Sequence, residues 1–280
     1  MKLATVRVNG VTRAVKVAHD GVIDLGTSDL GEFLAQPDWR HIAASAVEPS
    51  WSATTVVPAT LIPRPSKVVC VGLNYRTHIA EMGHPLPDFP TLFAKFPDAL
   101  IGAHESIVRP AETTRLDWEV ELAVVIGDTV RRADPAAAEA AIAGFTVFND
   151  VTCRDWQSRT SEWLQGKTWQ STTPVGPFLV TPDELSGGVR PKVDIQLRVN
   201  DEVMQSANTA DLVFDPVELV TYISTIVTLH PGDIIATGTP AGVGHARNPG
   251  RYLDLDDEVV AEIHGVGRQR NHVVSDSATS

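Results

Sequence analysis

The amino-acid sequence predicts an α+β, mostly β protein with a small N-terminal α+β domain. The 280 residues are 43% hydrophobic, enough to bury the core of one large domain or two unequal ones. Runs typical of strands dominate the chain beyond residue 63, and helices are few. Because strands and helices do not alternate strictly, the pattern argues against a doubly wound parallel sheet.

Residues 1–62 are predicted to form the N-terminal domain. The segments LATVRV, AVKV and GVIDLG have the pattern of short strands, and helical patches follow near Leu30–Ala35 and Trp39–Ala46. The next segment, PATLIPRPSK, contains three prolines, which cannot join the hydrogen-bond ladders of a central strand. We therefore place a domain boundary near residue 63.

The second predicted domain covers residues 63–275, and the polar residues 276–280 are predicted to be a disordered tail. Asp134 followed by Pro135 predicts the start of a helix that Gly144 can end. Asp215 followed by Pro216 predicts another, with Leu219, Tyr222, Ile223, Ile226 and Leu229 as its apolar face. The predicted strands are residues 67–72, 116–127, 145–150, 177–181, 193–199, 233–237 and 257–264.

Composition excludes several classes of partner. Asp and Glu number 35 against 23 Lys and Arg, a net charge of -12, so binding to nucleic acid is not expected. The two cysteines, Cys70 and Cys153, lack the spacing of a disulfide framework or a thiolate metal site, which favours a reducing cytoplasm. No apolar run approaches the roughly 20 residues of a membrane span, and no export signal is recognisable.

The segment RLDWEVELAVVIGD, residues 115–128, has the pattern of a strand with an unusual concentration of acidic residues. Because successive side chains of a strand point to opposite faces, Asp117, Glu119 and Glu121 share one face. The ordinary interpretation of such alternation is a half-exposed strand with its charges in water. The alternative is that the carboxylates serve a common purpose.

Two further segments carry candidate chemistry. In NYRTHIAEMG, His78 and Glu81 are three residues apart, the spacing of neighbours on a helix face. A carboxylate beside an imidazole orients the ring for general-base work, although such pairs are usually solvated surface residues. In FNDVTCRDWQ, Asp155 is expected to start a helix, whereas Asp150 ends an apolar strand and needs a partner, since an unpaired buried charge is costly.

The remaining polar segments exclude familiar motifs. LQGKTW contains Lys167, and ATGTPAGVG, residues 236–244, is rich in glycine but lacks the lysine of a phosphate-binding P-loop. Its glycines are expected to let the backbone approach a ligand, with Thr237 or Thr239 donating a hydrogen bond. No GxSxG or HExxH motif supports a serine hydrolase or a zinc protease.

Taken together, eight segments between residues 66 and 272 resemble the fumarylacetoacetate hydrolase family in the family's order. The resemblance implies a mixed β-sandwich roll and a homodimer. The segments are VGLNYRTHIAEMG, PTLFAKFPDALIG, LDWEVELAVVIG, FNDVTCRDWQ, GKTW, PVGPFLVT, LRVNDEVMQSANTADLVF and LHPGDIIATGTPAGVG.

The resemblance also implies a role for individual residues. It makes Glu119, Glu121 and Asp150 ligands of one divalent cation. Asp117 is outside this set and is expected to be a structural residue. Oxygen ligands favour Mg²⁺ or Mn²⁺, with Ca²⁺ as an alternative. His78 and Glu81 match a catalytic pair on a lid, and Lys167 matches a residue that stabilises an enolate. Positions that match substrate contacts are Lys95, Arg154, Gln157 and Thr239.

The predicted function is cleavage of a carbon–carbon bond in an acylpyruvate, a small 2-oxo acid, to pyruvate and a carboxylic acid in the catabolism of aromatic compounds. Alternatives within the family are decarboxylation of oxaloacetate, or isomerisation and decarboxylation of 2-hydroxyhepta-2,4-diene-1,7-dioate. An alternative of another class is a non-catalytic metal-binding module. The sequence departs from the usual family pattern at Trp169 and Gln170, which leaves the shape of the substrate pocket open.

Overall fold

A computed structural model describes residues 1–19 and 21–276. Its strands are β1 (Lys2–Val8), β2 (Val11–Ala18), β3 (Gly21–Asp24), β4 (Val57–Pro58), β5 (Val68–Gly72), β6 (Thr91–Lys95), β7 (Leu100–Gly102), β8 (Ile107–Arg109), β9 (Leu116–Asp117), β10 (Val120–Ile126), β11 (Ile142–Asn149), β12 (Thr152–Cys153), β13 (Thr173–Val175), β14 (Leu179–Val180), β15 (Asp194–Val199), β16 (Glu202–Asn208), β17 (Ile234–Ala236), β18 (Glu258–Ile263) and β19 (Gly267–Ser275). Its α-helices are α1 (Leu30–Leu34), α2 (Trp39–Ser45), α3 (Arg76–Glu81), α4 (Pro135–Ala141), α5 (Arg154–Gln157), α6 (Leu164–Lys167) and α7 (Pro216–Ile226).

A large mixed sheet forms the centre of the molecule. Its main path runs in the order β3, β2, β1, β14, β11, β10, β17, β5, β6. Every residue of β10 and β11 is buried because both faces of the sheet are covered. Leu122 and Val124 pack into one apolar cluster, whereas Ala123 and Val125 pack into another on the opposite face.

A second sheet, in the order β16, β15, β18, β19, β8, covers one face of the first. Leu197 of β15 and Val259 of β18 lie in the same apolar cluster as Leu122 and Val124 of β10. Helix α7 contributes Leu219 to this cluster. The core between the sheets is that of a β-sandwich, so the predicted mostly β class is confirmed.

The N-terminal strands extend the main sheet. Leu3 of β1 pairs with Leu179 of β14, and Trp39 of α2 donates a hydrogen bond of 3.1 Å from Nε1 to the carbonyl oxygen of Gly127. Residues 1–62 therefore pack directly on the rest of the chain, and the domain boundary near residue 63 stays a prediction. Of the predicted tail, Asp276 is described, and residues 277–280 lie outside the described residues.

Three local predictions are wrong. Helix α4 ends at Ala141 and β11 follows at once, so Gly144 lies inside a strand. A side chain there would not fit, because a Cβ on Gly144 would lie 2.2 Å from the carbonyl oxygen of Val180. The predicted strand 116–127 is interrupted at Trp118 and Glu119. In α7, Ile226 is 59% exposed and Leu229 lies beyond the end of the helix.

The topology brings several strand ends to one edge of the main sheet. β10 begins opposite the end of β11, where Val120 pairs with Asn149. β17 runs antiparallel to β10, and β5 runs parallel to β17, so the segments after Ala236 and Gly72 leave from this same edge. The acidic segment, the glycine-rich segment and the NYRTH segment are therefore expected to meet there.

The helices are short. Among residues 1–19 and 21–276, none is both long and apolar enough to cross a membrane.

The N-cap of α4 contributes to stability and can be tested by mutation. The Asp134 side chain accepts a hydrogen bond of 2.8 Å from the Ala137 backbone N–H. Asp134→Ala removes this bond and is expected to lower the free energy of unfolding by about 0.5–2 kcal/mol in urea titrations. Asp134→Ser keeps a capping oxygen and serves as the control. Equal stability of the alanine variant and the wild type would contradict the assignment.

Candidate active site

Three carboxylates lie together at this edge of the main sheet. Glu119 and Glu121 flank the first residue of β10, and Asp150 directly follows β11. One oxygen from each of the three lies within 4.8 Å of the others, and all three residues are buried. These three side chains are called the carboxylate cluster below. The ordinary interpretation of solvated strand charges is therefore wrong, because Asp117 is also buried.

Two carboxylates of the cluster are paired with cations. Lys167 Nζ lies 2.6 Å from Glu119 Oε2 and 2.6 Å from Asp150 Oδ2. Lys95 Nζ lies 2.6 Å from Asp150 Oδ1, and Arg154 Nη2 lies 2.6 Å from Glu119 Oε1. The expectation that Asp150 needs a partner is confirmed. Burial raises the pKa of Glu119, but the positive charges of Lys167 and Arg154 outweigh this effect and lower the pKa to about 2.

Glu121 differs from its two neighbours. Among the described residues its carboxylate has no cationic partner and accepts a hydrogen bond of 2.7 Å from the Gly238 backbone N–H. Burial, followed by the charges of Asp150 and Glu119, raises the pKa of Glu121 well above its usual range. Each ionised carboxylate also keeps lone pairs beyond those that its partners use. This excess of buried oxygen ligands fits a hard divalent cation such as Mg²⁺ or Mn²⁺.

An acid–base pair lies on α3. His78 Nδ1 is 3.0 Å from Glu81 Oε2, as the spacing of three residues predicts. Glu81 also accepts hydrogen bonds of 3.1 and 3.3 Å from the Gly242 backbone N–H, so the glycine-rich segment holds the carboxylate. Asp211 accepts from both the backbone N–H and the hydroxyl of Thr77, which fixes the first turn of the helix.

A cavity of about 300 Å³ connects the pair to the cluster. His78, Glu119, Glu121 and Lys167 line it together. The other predicted site residues in the described lining are Arg154, Gln157 and Thr239. Glu81, Lys95 and Asp150 are absent from that lining, but Glu81 contacts the lining residue His78, and Asp150 contacts both Lys95 and the lining residue Lys167. Lys95 therefore supports Asp150 in this structure, where the resemblance implies a substrate contact.

Asp117 holds several parts of the site in place. Its carboxylate accepts from the backbone N–H groups of Trp118, Gly244 and His245 and from Arg154 Nε, at distances of 2.8 to 2.9 Å. It is completely buried. This arrangement agrees with the structural role expected for Asp117.

Gln205 was not predicted to be part of the site, yet its side chain holds the glycine-rich segment, residues 236–244, in place. Its side-chain oxygen accepts from Val120 N, and its Nε2 donates at 2.8 Å to Thr239 Oγ1. The Thr239 hydroxyl in turn donates to the Val120 carbonyl oxygen at 3.0 Å. Since its proton is used there, this hydroxyl is an acceptor rather than a donor toward the cavity. The sequence signals were a polar residue within a strand and its place in the segment LRVNDEVMQSANTADLVF.

Two other residues differ from expectation. Asp155 lies within α5 rather than at its cap, and its carboxylate accepts from the Thr113 hydroxyl at 2.6 Å. Trp169 donates from Nε1 to the Gln165 carbonyl oxygen and packs edge-to-face on Trp156, with ring centroids 4.9 Å apart. Neither Trp169 nor Gln170 is in the described lining of the cavity. Trp169 and Gln170, the two residues that depart from the family pattern, are therefore not part of the described cavity wall.

The β-sandwich and the cavity that joins a carboxylate cluster to an acid–base pair define an enzyme-like site. The family model described as fumarylacetoacetate (FAA) hydrolase C-terminal matches residues 67–274. The chain belongs to the fumarylacetoacetate hydrolase family.

Known relatives have several named activities. A Bos taurus protein named oxaloacetate tautomerase FAHD2A, mitochondrial, is 45% identical, with 91% of this chain and 84% of that protein covered. The structure of fumarylacetoacetate hydrolase (EaFAH) from Exiguobacterium antarcticum is 33% identical, with a TM-score of 0.85 and coverage of 98% and 99%. That of 5-carboxymethyl-2-hydroxymuconate delta-isomerase from Mycobacterium smegmatis is 31% identical, with a TM-score of 0.81 and 99% of each chain covered. The family is thus enzymatic, with hydrolases, isomerases and tautomerases among its members.

Glu121 provides a test of the cation site. Glu121→Gln keeps an oxygen for the Gly238 N–H but removes the charge that has no cationic partner. We expect Mn²⁺ affinity, measured by calorimetry, to fall by more than the roughly 10- to 100-fold caused by losing an outer-shell partner. The metal-free variant should melt no lower than the metal-free wild type, because burial and the neighbouring carboxylates disfavour the charged form of Glu121 and the amide is always neutral. The exposed Glu48→Gln is the control, and unchanged Mn²⁺ affinity of Glu121→Gln would contradict the assignment.

Proposed function

We propose that this chain is a divalent-cation-dependent enzyme that converts a short 2-oxo acid through its enolate form. The observation that carries the proposal is that His78 lines the same cavity as Lys167 and two members of the carboxylate cluster, Glu119 and Glu121. Enolate chemistry needs a proton acceptor on one side of the substrate and positive charge on the other. A bound divalent cation supplies a Lewis acid for the substrate oxygens.

Lys167 is the residue of this chain that meets the developing negative charge. Burial opposes its charged form, but Asp150 and then Glu119 raise the pKa of Lys167, so its ammonium stays protonated. A preorganised charge in a buried site stabilises an enolate more strongly than water does. Arg154 and Gln157 also face the cavity and provide N–H donors for a substrate carboxylate.

His78 moves the proton. Because Nδ1 faces Glu81, the Nε2 atom is left for the substrate. In keto–enol conversion Nε2 accepts a proton from the carbon next to the 2-oxo group, and a proton is returned to the 2-oxo oxygen. Glu81 positions the ring, while the Gly242 N–H holds Glu81.

The reaction that we favour is keto–enol tautomerisation of oxaloacetate. The similarity to the Bos taurus tautomerase, at 45% identity over most of both chains, supports this choice. Hydrolysis of an acylpyruvate is the second candidate, because a histidine–carboxylate pair can also activate water for attack on a distal carbonyl. The similarity to a structure named fumarylacetoacetate hydrolase supports it.

One set of assays tests both candidates. Ultraviolet absorbance follows the enol of oxaloacetate, and coupled detection of pyruvate follows cleavage of acylpyruvates and decarboxylation of oxaloacetate. Each is measured with Mg²⁺, with Mn²⁺ and with a chelator. Cation-dependent loss of the enol signal above the buffer rate is the expected result. Turnover confined to pyruvate release would favour the hydrolase or a decarboxylase, and activity unaffected by chelator would contradict the proposal.

The acid–base pair gives a second test. Removal of a general base typically costs about 10²- to 10⁴-fold in rate, so His78→Ala and Glu81→Gln should lower turnover by that order. Mn²⁺ binding should be retained, since neither residue belongs to the carboxylate cluster. The double variant should be about as slow as the worse single variant, because the two act as a unit. The exposed Asp128→Asn is the control, and full turnover by both single variants would refute the roles assigned.

A further inference from the structure

His245 lies in the wall of the cavity, although the sequence pattern did not single it out. It belongs to the short turn Gly244–Ala246. The Gly244 and His245 backbone N–H groups donate to the two oxygens of Asp117 at 2.8 and 2.9 Å. A Cβ on Gly244 would lie 1.9 Å from the Arg251 carbonyl oxygen, so the turn requires glycine there. The backbone of His245 is thus fixed against a buried carboxylate.

Arg154 is fixed on the same carboxylate. Its Nε donates to Asp117 Oδ2 at 2.8 Å, the atom that also accepts from His245 N. A guanidinium has five N–H groups. Asp117, Gln157 and Glu119 each accept one from Arg154, so two N–H groups have no acceptor among the described residues. Arg154 also lines the cavity.

The His245 ring is oriented from outside the cavity. Its Nδ1 lies 3.2 Å from Tyr252 Oη, and Nε2 has no hydrogen-bond partner within the part of the chain that the structure describes. Burial, followed by the charge of Arg154, lowers the pKa of His245, so the imidazole is neutral near pH 7. When the Tyr252 hydroxyl donates to Nδ1, the single ring proton sits on Nε2. The ring then offers one N–H donor.

We propose that His245 and the two remaining N–H groups of Arg154 bind the second carboxylate of a 2-oxo dicarboxylic acid. His245 is then a specificity-determining residue that favours dicarboxylic over monocarboxylic substrates. The inference rests on the proposed function, because it takes the reacting end of the substrate to lie at the carboxylate cluster.

The charges around this wall support an anionic ligand. Within the described lining, the acidic side chains are Glu119 and Glu121, and both belong to the carboxylate cluster. Asp117 is buried beneath the wall, and its two oxygens are occupied by four donors. A second substrate carboxylate beside His245 would therefore meet donors rather than a free carboxylate.

Binding of unreactive analogues tests the inference. Malate has two carboxylates and cannot enolise, whereas 2-hydroxybutanoate lacks the second carboxylate. Calorimetry on the Mn²⁺-loaded protein should show that His245→Phe weakens malate binding roughly tenfold, as loss of one hydrogen bond to a charged group predicts. The affinity for 2-hydroxybutanoate should change by less than about twofold, which is within the scatter of a distant effect.

Two matched variants complete the design. His245→Gln keeps an N–H donor at similar reach and should recover most of the malate affinity, and the exposed His264→Phe should leave both affinities unchanged. Equal weakening of both ligands by His245→Phe, or no weakening of malate, would overturn the inference. The outcome is independent of turnover. Suppose that the wild type turns over no 2-oxo acid, while His245→Phe still selectively weakens malate binding. That result would refute the proposed function but not the role of His245.

Discussion

The burial of three carboxylates within 4.8 Å of one another is the constraint on which the rest of the site depends. Transfer of charge out of water is costly unless the charge is paired and hydrogen-bonded. Lys95, Arg154 and Lys167 offset this cost for Asp150 and Glu119, and all three are themselves buried. Among residues 1–19 and 21–276, Glu121 has one backbone N–H as its hydrogen-bond partner and no cation, which leaves oxygen ligands that could bind a metal ion.

The same constraint extends outward through Arg154. Asp117 balances the guanidinium on its far side and, through Gly244 and His245, ties the glycine-rich segment to the acidic strand. Gly238, with φ of +101°, turns that segment so that its N–H reaches Glu121. Gly238 therefore allows the backbone to approach a carboxylate of the cluster closely.

Local signals predicted much of the fold. Asp134 and Asp215, each followed by proline, start helices as expected, because a cap depends on residues within one turn. Gly144 was misjudged because the atom that requires glycine, the carbonyl oxygen of Val180, belongs to a neighbouring strand. The interruption of the predicted strand 116–127 at Trp118 and Glu119 could likewise not be predicted, because polar and apolar residues alternate through this position.

The members of the carboxylate cluster were named from the family resemblance, and their burial could not be derived from residues 115–128 alone. The partners of each carboxylate depend on contacts between distant segments, such as Lys167 with Glu119, 48 residues apart. Periodicity carries no information on such pairs. For the same reason Gln205 and His245 were missed. One of the hydroxyls of Thr237 and Thr239 was expected to donate to a ligand, but they donate to the backbone carbonyl oxygens of Leu122 and Val120.

The most direct test of the cation site is anomalous diffraction from crystals of the protein grown or soaked with Mn²⁺. We expect one anomalous peak per chain, bonded to oxygens of Glu119, Glu121 and Asp150, with Lys167 still beside the cluster. The central claim is that these carboxylates hold a divalent cation. Crystals in which manganese binds only at the surface, or anywhere else but not at the carboxylate cluster, would contradict it.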